Sequence, residues 1–122
     1  MQSVIHRKSY GSVKVFWLDK ELLKKRIKKA AKRLMCKNSN VEKVVLFGSL
    51  AEDRATAFSD ADIMILVKKS TKRFIDRPMD FAEYFQDIGI EVDFFVYTRE
   101  EVEQKSKFIQ AIQHKGECIM ER

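Results

Sequence analysis

The chain has 122 residues, 45% hydrophobic and 34% charged, with a formal net charge of +6. That length supports a single domain with one modest core, and the composition excludes a disordered or fibrous chain. No apolar run approaches the roughly 20 residues of a membrane span, and the opening MQSVIHRKSYGS lacks the apolar stretch of a secretory leader, so a cytoplasmic protein with no membrane contact is expected. Cys36 and Cys118, far apart and without a zinc spacing to His6 or His114, are expected to be reduced structural thiols.

Near the start, Val13, Val15 and Trp17 alternate with Lys14 and Phe16, which predicts a small edge strand over 10–17, or an N-terminal extension over 1–17. Asp19 then offers an N-cap, and Leu23, Ile27, Ala30, Ala31 and Leu34 recur at helical spacing to about Met35. Nine Lys or Arg against two acids between Asp19 and Lys37 fill the outward positions of that helix, the pattern of a solvated face. Asn38 to Asn40 turn the chain into Val44-Val45-Leu46-Phe47, and Ile63 to Val67 form a second apolar run; both have the character of strands buried on two faces. Leu50 to Ala55 between them are predicted as a short helix with its N-terminus toward the end of the first strand. Pro78 is expected to open a helix whose stripe, Phe81, Ala82, Phe85 and Ile88, ends at Gly89. A third strand over Ile90 to Tyr97 puts Glu91, Asp93, Phe95 and Tyr97 on one face and Val92, Phe94 and Val96 on the other. Thr98-Arg99-Glu100-Glu101 is a capping-box signature for a helix running through Val102, Phe108, Ile109 and Ile112 to about Gly116, with a short strand over Glu117 to Met120. The order predicts an α/β (α+β) fold, a small mixed β-sheet with helices packed mainly on one face, in one domain over 1–122.

The chemistry-bearing residues sit at the ends of these strands. Gly48 lets the backbone approach a ligand closely, and Ser49 adds a hydroxyl to the backbone N–H groups, a combination suited to phosphate oxygens. Ten residues later, Asp60 and Asp62 stand two apart at the start of the next strand, so both carboxylates face the same way, roughly 6.5 Å apart along the chain. Such a pair suits a hard cation, typically Mg²⁺ with a bound triphosphate. Asp93, in an otherwise aromatic and β-branched strand, is costly to bury unless paired or bound to a cation, which makes it the natural third ligand or base. Lys68, Lys69, Lys72, Arg73 and Arg77 follow the Asp-x-Asp strand directly, and the expectation is that they border the same site.

Gly48-Ser49, ten residues, Asp60-Ala61-Asp62 and then a strand Asp93 together resemble the nucleotidyltransferase superfamily of the DNA polymerase β type. Size and local sequence resemble its minimal nucleotidyltransferases, the MNT antitoxins of HEPN/MNT toxin–antitoxin pairs, over roughly Leu18 to Arg122. The resemblance implies a nucleotidyltransferase fold, phosphate binding at Gly48 and Ser49, and catalysis with two Mg²⁺ ions on Asp60, Asp62 and Asp93. It also implies ATP as donor and a hydroxyl of a HEPN-domain protein as acceptor. Many relatives carry Gly where this chain has Asp53, and Ile where it has Ala61, so nucleotide affinity or choice is where this chain is expected to differ. Two rival readings use the same residues. One is a module that masks a HEPN partner without chemistry; the other is a transferase directed at nucleic acid, recognisable by strongly salt-dependent binding.

Overall fold

A computed structural model describes residues 2–104 and 106–122. Helix α1, Lys20–Lys37, begins where expected: the Asp19 carboxylate accepts a hydrogen bond from the Leu22 N–H, and Leu23, Ile27, Ala30, Ala31 and Leu34 are buried along one stripe. Strands β3 (Val41–Phe47), β4 (Ala61–Val67), β5 (Val92–Thr98) and β6 (Glu117–Glu121) form one sheet in the order β5-β4-β3-β6. β4 and β5 run parallel, and the other two pairings are antiparallel, so the sheet is mixed. Among the described residues no helix is long and apolar enough to cross a membrane.

Both faces of this sheet are covered, which is why its central strands read as nearly continuous apolar runs. On one face Val44, Leu46, Ile63, Ile65 and Val96 pack against α1, together with Phe81, Phe85 and Ile88 from the β4–β5 connection. On the other, Val45, Phe47 and Met64 meet Ile112, with Phe95 and Tyr97 at the margin. The alternation expected of the third strand is therefore observed. Its even positions Val92, Phe94 and Val96 serve the main core, and its odd positions face the smaller one.

Four local expectations are corrected. The N-terminal segment is a hairpin rather than an edge strand of the main sheet: β1 (Ile5–Tyr10) pairs with β2 (Val13–Leu18) in a sheet of its own, turning at Gly11 with φ of +62°. Residues 50–55 form a tight turn instead of a helix, with bonds from Glu52 N–H to Gly48 O (3.0 Å) and from Arg54 N–H to Ser49 O (2.8 Å). Asp53 adopts φ of +58°, a left-handed conformation no helix can continue through. Pro78 lies inside a 3-10 helix, Phe74–Asp80, rather than opening an α-helix, and only α2, Ala82–Phe85, follows, with Ala82 exposed. Proline has no N–H to give, and the turn closes by i to i+3 bonds such as Phe81 N–H to Pro78 O.

The C-terminal helical stretch is divided. α3, Arg99–Glu103, carries the predicted capping box, and α4, Lys107–Lys115, has a cap of its own in Ser106, whose hydroxyl accepts from Ile109 N–H at 3.2 Å. Position 105, inside the predicted single helix, lies outside the described residues. The second cap was present as Ser106-Lys107-Phe108-Ile109, hidden by an apolar pattern that runs across the break.

One buried network secures the 3-10 helix to the sheet. Arg77 donates to Val96 O (3.0 Å) and Lys72 O (3.0 Å), and it pairs with Glu101 Oε1 at 2.6 Å, an atom that also accepts from Thr98 N–H and Oγ1–H. Burial pushes the Glu101 carboxyl up, but the bonds from Thr98 and Arg77 outweigh it and hold the group below the usual 4.5. A depressed carboxyl contributes stability above its unfolded pKa and loses it as pH falls through the folded value. Glu101→Gln is therefore expected to lower Tm at neutral pH, with the gap to wild type closing as the pH falls below about 4.5, measured by thermal melts across a pH series.

Candidate active site

Three strand ends meet at one edge of the sheet. β3 delivers Gly48 and Ser49 just past Phe47, and β4 and β5 begin beside it. In the antiparallel register Phe47 pairs with Asp62, and in the parallel register Asp62 pairs with Asp93. Neighbouring strands lie about 4.8 Å apart, so Asp62 and Asp93 stand side by side on the same face. Asp60, one residue before β4, completes the acidic edge, and a bond from Ala61 N–H to Glu91 O at 2.9 Å fixes the start of the parallel pair. Every residue assigned to the site from sequence, Gly48, Ser49, Asp60, Asp62 and Asp93, comes to this edge.

Glycine at position 48 is required twice over. Its φ is +73°, and a Cβ there would overlap the Asp62 carboxylate, whose Cγ would lie only 3.2 Å away. The Gly48-Ser49 turn and the Asp-x-Asp strand are thus in contact, with Asp62 filling the space a side chain at 48 would need. Gly48→Ala should cost about 1–2 kcal/mol from backbone conformation alone and displace the Asp62 carboxylate as well. Chemical denaturation, with a solved structure of the variant, would measure both effects.

Asp62 is half-buried, whereas Asp60 and Asp93 are exposed. Burial pushes the Asp62 carboxyl above its ordinary value, and the negative charges of Asp93 and Asp60 push it in the same direction. Among the described residues no donor or cation offsets that charge. Nor do any three carboxylate, imidazole or thiol groups among them already enclose a common point as a finished metal cage. Carboxylate oxygens are the hard donors Mg²⁺ prefers, and a divalent cation held there would offset the burial and like-charge repulsion that raise Asp62.

A raised carboxyl has the opposite linkage to Glu101. Its ionised form is disfavoured in the folded state, so the penalty appears as pH rises through 3.8 and persists at neutral pH. Asp62→Asn is expected to raise Tm at pH 7 in the absence of divalent ions, with the gain fading below about pH 3.8. A calorimetric pH series checks it, and a lower Tm for the variant at neutral pH would contradict the electrostatic reading.

A further expectation is corrected by where β4 points. The basic stretch from Lys68 leaves the far end of β4, about 20 Å of strand away from Asp62, so it does not border this edge. It lines instead a cleft of about 620 Å³ with Ser39, Asn40 and Asp80. Lys72, in its lining, pairs with Asp80, and further along the chain Arg73 pairs with Asp76 and Arg77 with Glu101. The cations near the phosphate turn come from α1: Lys20 Nζ lies 2.6 Å from Asp53 Oδ1, and its hydrogen bond and charge, aided by Lys24, hold Asp53 below the usual carboxylate range. This contact joins residues far apart in sequence and carries no motif, so periodicity could not reveal it. Beside Asp60, a depression of about 410 Å³ is lined by Ile5, Phe58, Ser59 and Glu91 among others.

A mixed four-stranded sheet with a Gly-Ser turn and carboxylates gathered at one edge defines a nucleotidyltransferase fold, and the comparisons agree. The model of the "Polymerase beta, Nucleotidyltransferase" family matches residues 19–122, and the chain belongs to that family. A candidate nucleotidyltransferase from Sulfolobus solfataricus shares the fold at a TM-score of 0.65 and 20% identity, with 84% of each chain covered. A toxin–antitoxin structure containing AMP-PNP matches at a TM-score of 0.60 and 19% identity, over 81% of this chain and 73% of that one. No protein of curated function matches the chain.

Proposed function

We infer that this chain is a Mg²⁺-dependent nucleotidyltransferase of the cytoplasm that moves AMP from ATP onto a hydroxyl of a HEPN-domain partner protein, and so acts as an antitoxin. The observation that carries the transfer chemistry is the row Phe47, Asp62, Asp93 across three strands, with the Asp62 carboxylate packed beside Gly48. A phosphate-binding turn in contact with a repelling carboxylate group is the arrangement a metal–triphosphate complex satisfies. The AMP-PNP and the toxin partner of the structural neighbour support the choice of donor and of a protein acceptor.

Asp60, Asp62 and Asp93 are the residues that would hold two Mg²⁺ ions, which when bound supply charge neutralisation at the phosphoryl oxygens and a lower pKa at the acceptor hydroxyl. Gly48 admits the β- and γ-phosphates close to the backbone, and the Ser49 hydroxyl donates to one of their oxygens. Asp93, exposed at the start of β5, takes the acceptor's proton as that oxygen attacks the α-phosphorus. The bond from the α-phosphorus to its bridging oxygen breaks, pyrophosphate leaves with the electron pair, and AMP remains on the acceptor. Lys20, now engaged by Asp53, matches the negative charge that Asp53 brings to the turn.

Incubation with Mg²⁺, α-labelled ATP and a HEPN-domain protein is expected to label that protein. Asp62→Asn should abolish labelling while remaining folded; transfer by the folded variant would remove Asp62 from the mechanism. Ser49→Ala should weaken binding of a non-hydrolysable ATP analogue about tenfold, the loss of one hydrogen bond to a charged oxygen. An unchanged affinity by calorimetry would refute the phosphate-binding role.

A further inference from the structure

The hairpin of β1 and β2 lies outside the residues matched by the family, which begin at 19. Yet it is held firmly. Val4 and Leu18 at its base are buried in the main core, Asp19 N–H donates to Val4 O, and His6 Nε2 meets the Asp19 carboxylate at 3.0 Å. The tip stands clear of the body and is far from polar. Of the ten large hydrophobic residues exposed among the described residues, six are Tyr10, Val13, Val15, Phe16, Trp17 and the adjacent Phe58.

The register sorts them. Tyr10 pairs with Val13, Lys8 with Val15, and His6 with Trp17, so Tyr10, Val13, Val15 and Trp17 share one face with Lys8 and His6, and all four apolar residues are exposed there. On the opposite face Phe16 stacks on Phe58, ring centroids 5.9 Å apart, and Phe58 is two residues before Asp60. Ile5, at the foot of the hairpin, lines the same depression as Ser59 and Asp60. An exposed apolar face rich in Trp and Tyr, on a rigidly anchored element beside a reaction centre, has the character of a binding hot spot.

We propose that the β1–β2 hairpin is the docking surface for the acceptor protein, engaging an apolar surface rimmed with carboxylates and so presenting its hydroxyl to Asp60, Asp62 and Asp93; this rests on the acceptor reading above. Charge specifies the occupant: residues 2–18 hold no acid, Lys8 stands on this face opposite Val15, and Arg7 and Lys14 flank it from the other side of the ribbon. A second copy of the chain would bring those like charges together across a two-fold axis. A nucleic-acid strand would find stacking planes only at the two ends of the face, Tyr10 and Trp17, with Lys8 and Val15 between them. A protein groove with an acidic rim satisfies both the aliphatic centre and the basic edge.

The test uses the full chain and the purified HEPN-domain protein of the proposed reaction, with Kd by biolayer interferometry and labelling from α-labelled ATP. Val15→Glu and Trp17→Ala, both on the exposed face, should weaken the complex by about tenfold or more and raise KM for the acceptor, leaving kcat and ATP-analogue affinity unchanged. Met79→Glu, a still more exposed apolar position outside the hairpin, should bind as wild type does. Hairpin variants that bind and label the partner like wild type would overturn the docking assignment alone. So would a wild-type dimer in light scattering that Val15→Glu dissolves, or loss of binding confined to a short single-stranded RNA. A wild-type chain that neither binds nor labels the partner would remove the acceptor reading, and the docking surface with it.

Discussion

The registers of β4 against β3 and β5 govern the rest of the site. Phe47, Asp62 and Asp93 form one row across three strands because of them. A slip of one residue in either pairing would turn the carboxylates toward the main core and bring Ala61 or Ile63 to the reaction edge. Alternation protects against that error. Ala61, Ile63 and Ile65 are fully buried on the α1 side, so any shift that exposed the apolar set would forfeit much of the core. The same burial that stabilises the sheet thus orients the acidic residues.

That edge is electrostatically unfinished. A chain with a net charge of +6 leaves Asp62 half-buried beside two like charges, while many of its cations are engaged elsewhere. Lys20 faces Asp53, Lys24 faces Glu117, and Arg77 is consumed by Glu101 and the backbone of β5. These cations are engaged by their own partners, and none of them pairs with Asp62. Glu101 is held down by donors, whereas Asp62 is pushed up by burial and by the charges of Asp93 and Asp60.

Asp53 takes a left-handed conformation, and Asp is among the few side chains that tolerate it. The pairing with Lys20 then answers the charge it introduces. The turn that follows Ser49 keeps its shape through two backbone bonds, with no helix needed.

Local periodicity and end signals were enough to recognise α1 with its Asp19 cap, the four main strands and the capping box at Thr98, because each depends on neighbours within a few positions; the five candidate site residues were singled out by type and spacing, and the fold brings them to one edge. The short helices were less legible. A 3-10 turn around Pro78 and a break before Ser106 arise from competition between local bonds and tertiary anchors such as Arg77 to Val96, which leave no periodic trace. Strand direction was also out of reach, so the basic stretch after Val67, adjacent to the acidic pair in sequence, proved to lie at the opposite end of the sheet. Residue types and spacing thus determined what chemistry the chain carries. Only the pairing of strands distant in sequence decided which groups meet, since register and direction are properties of two segments together and belong to neither alone.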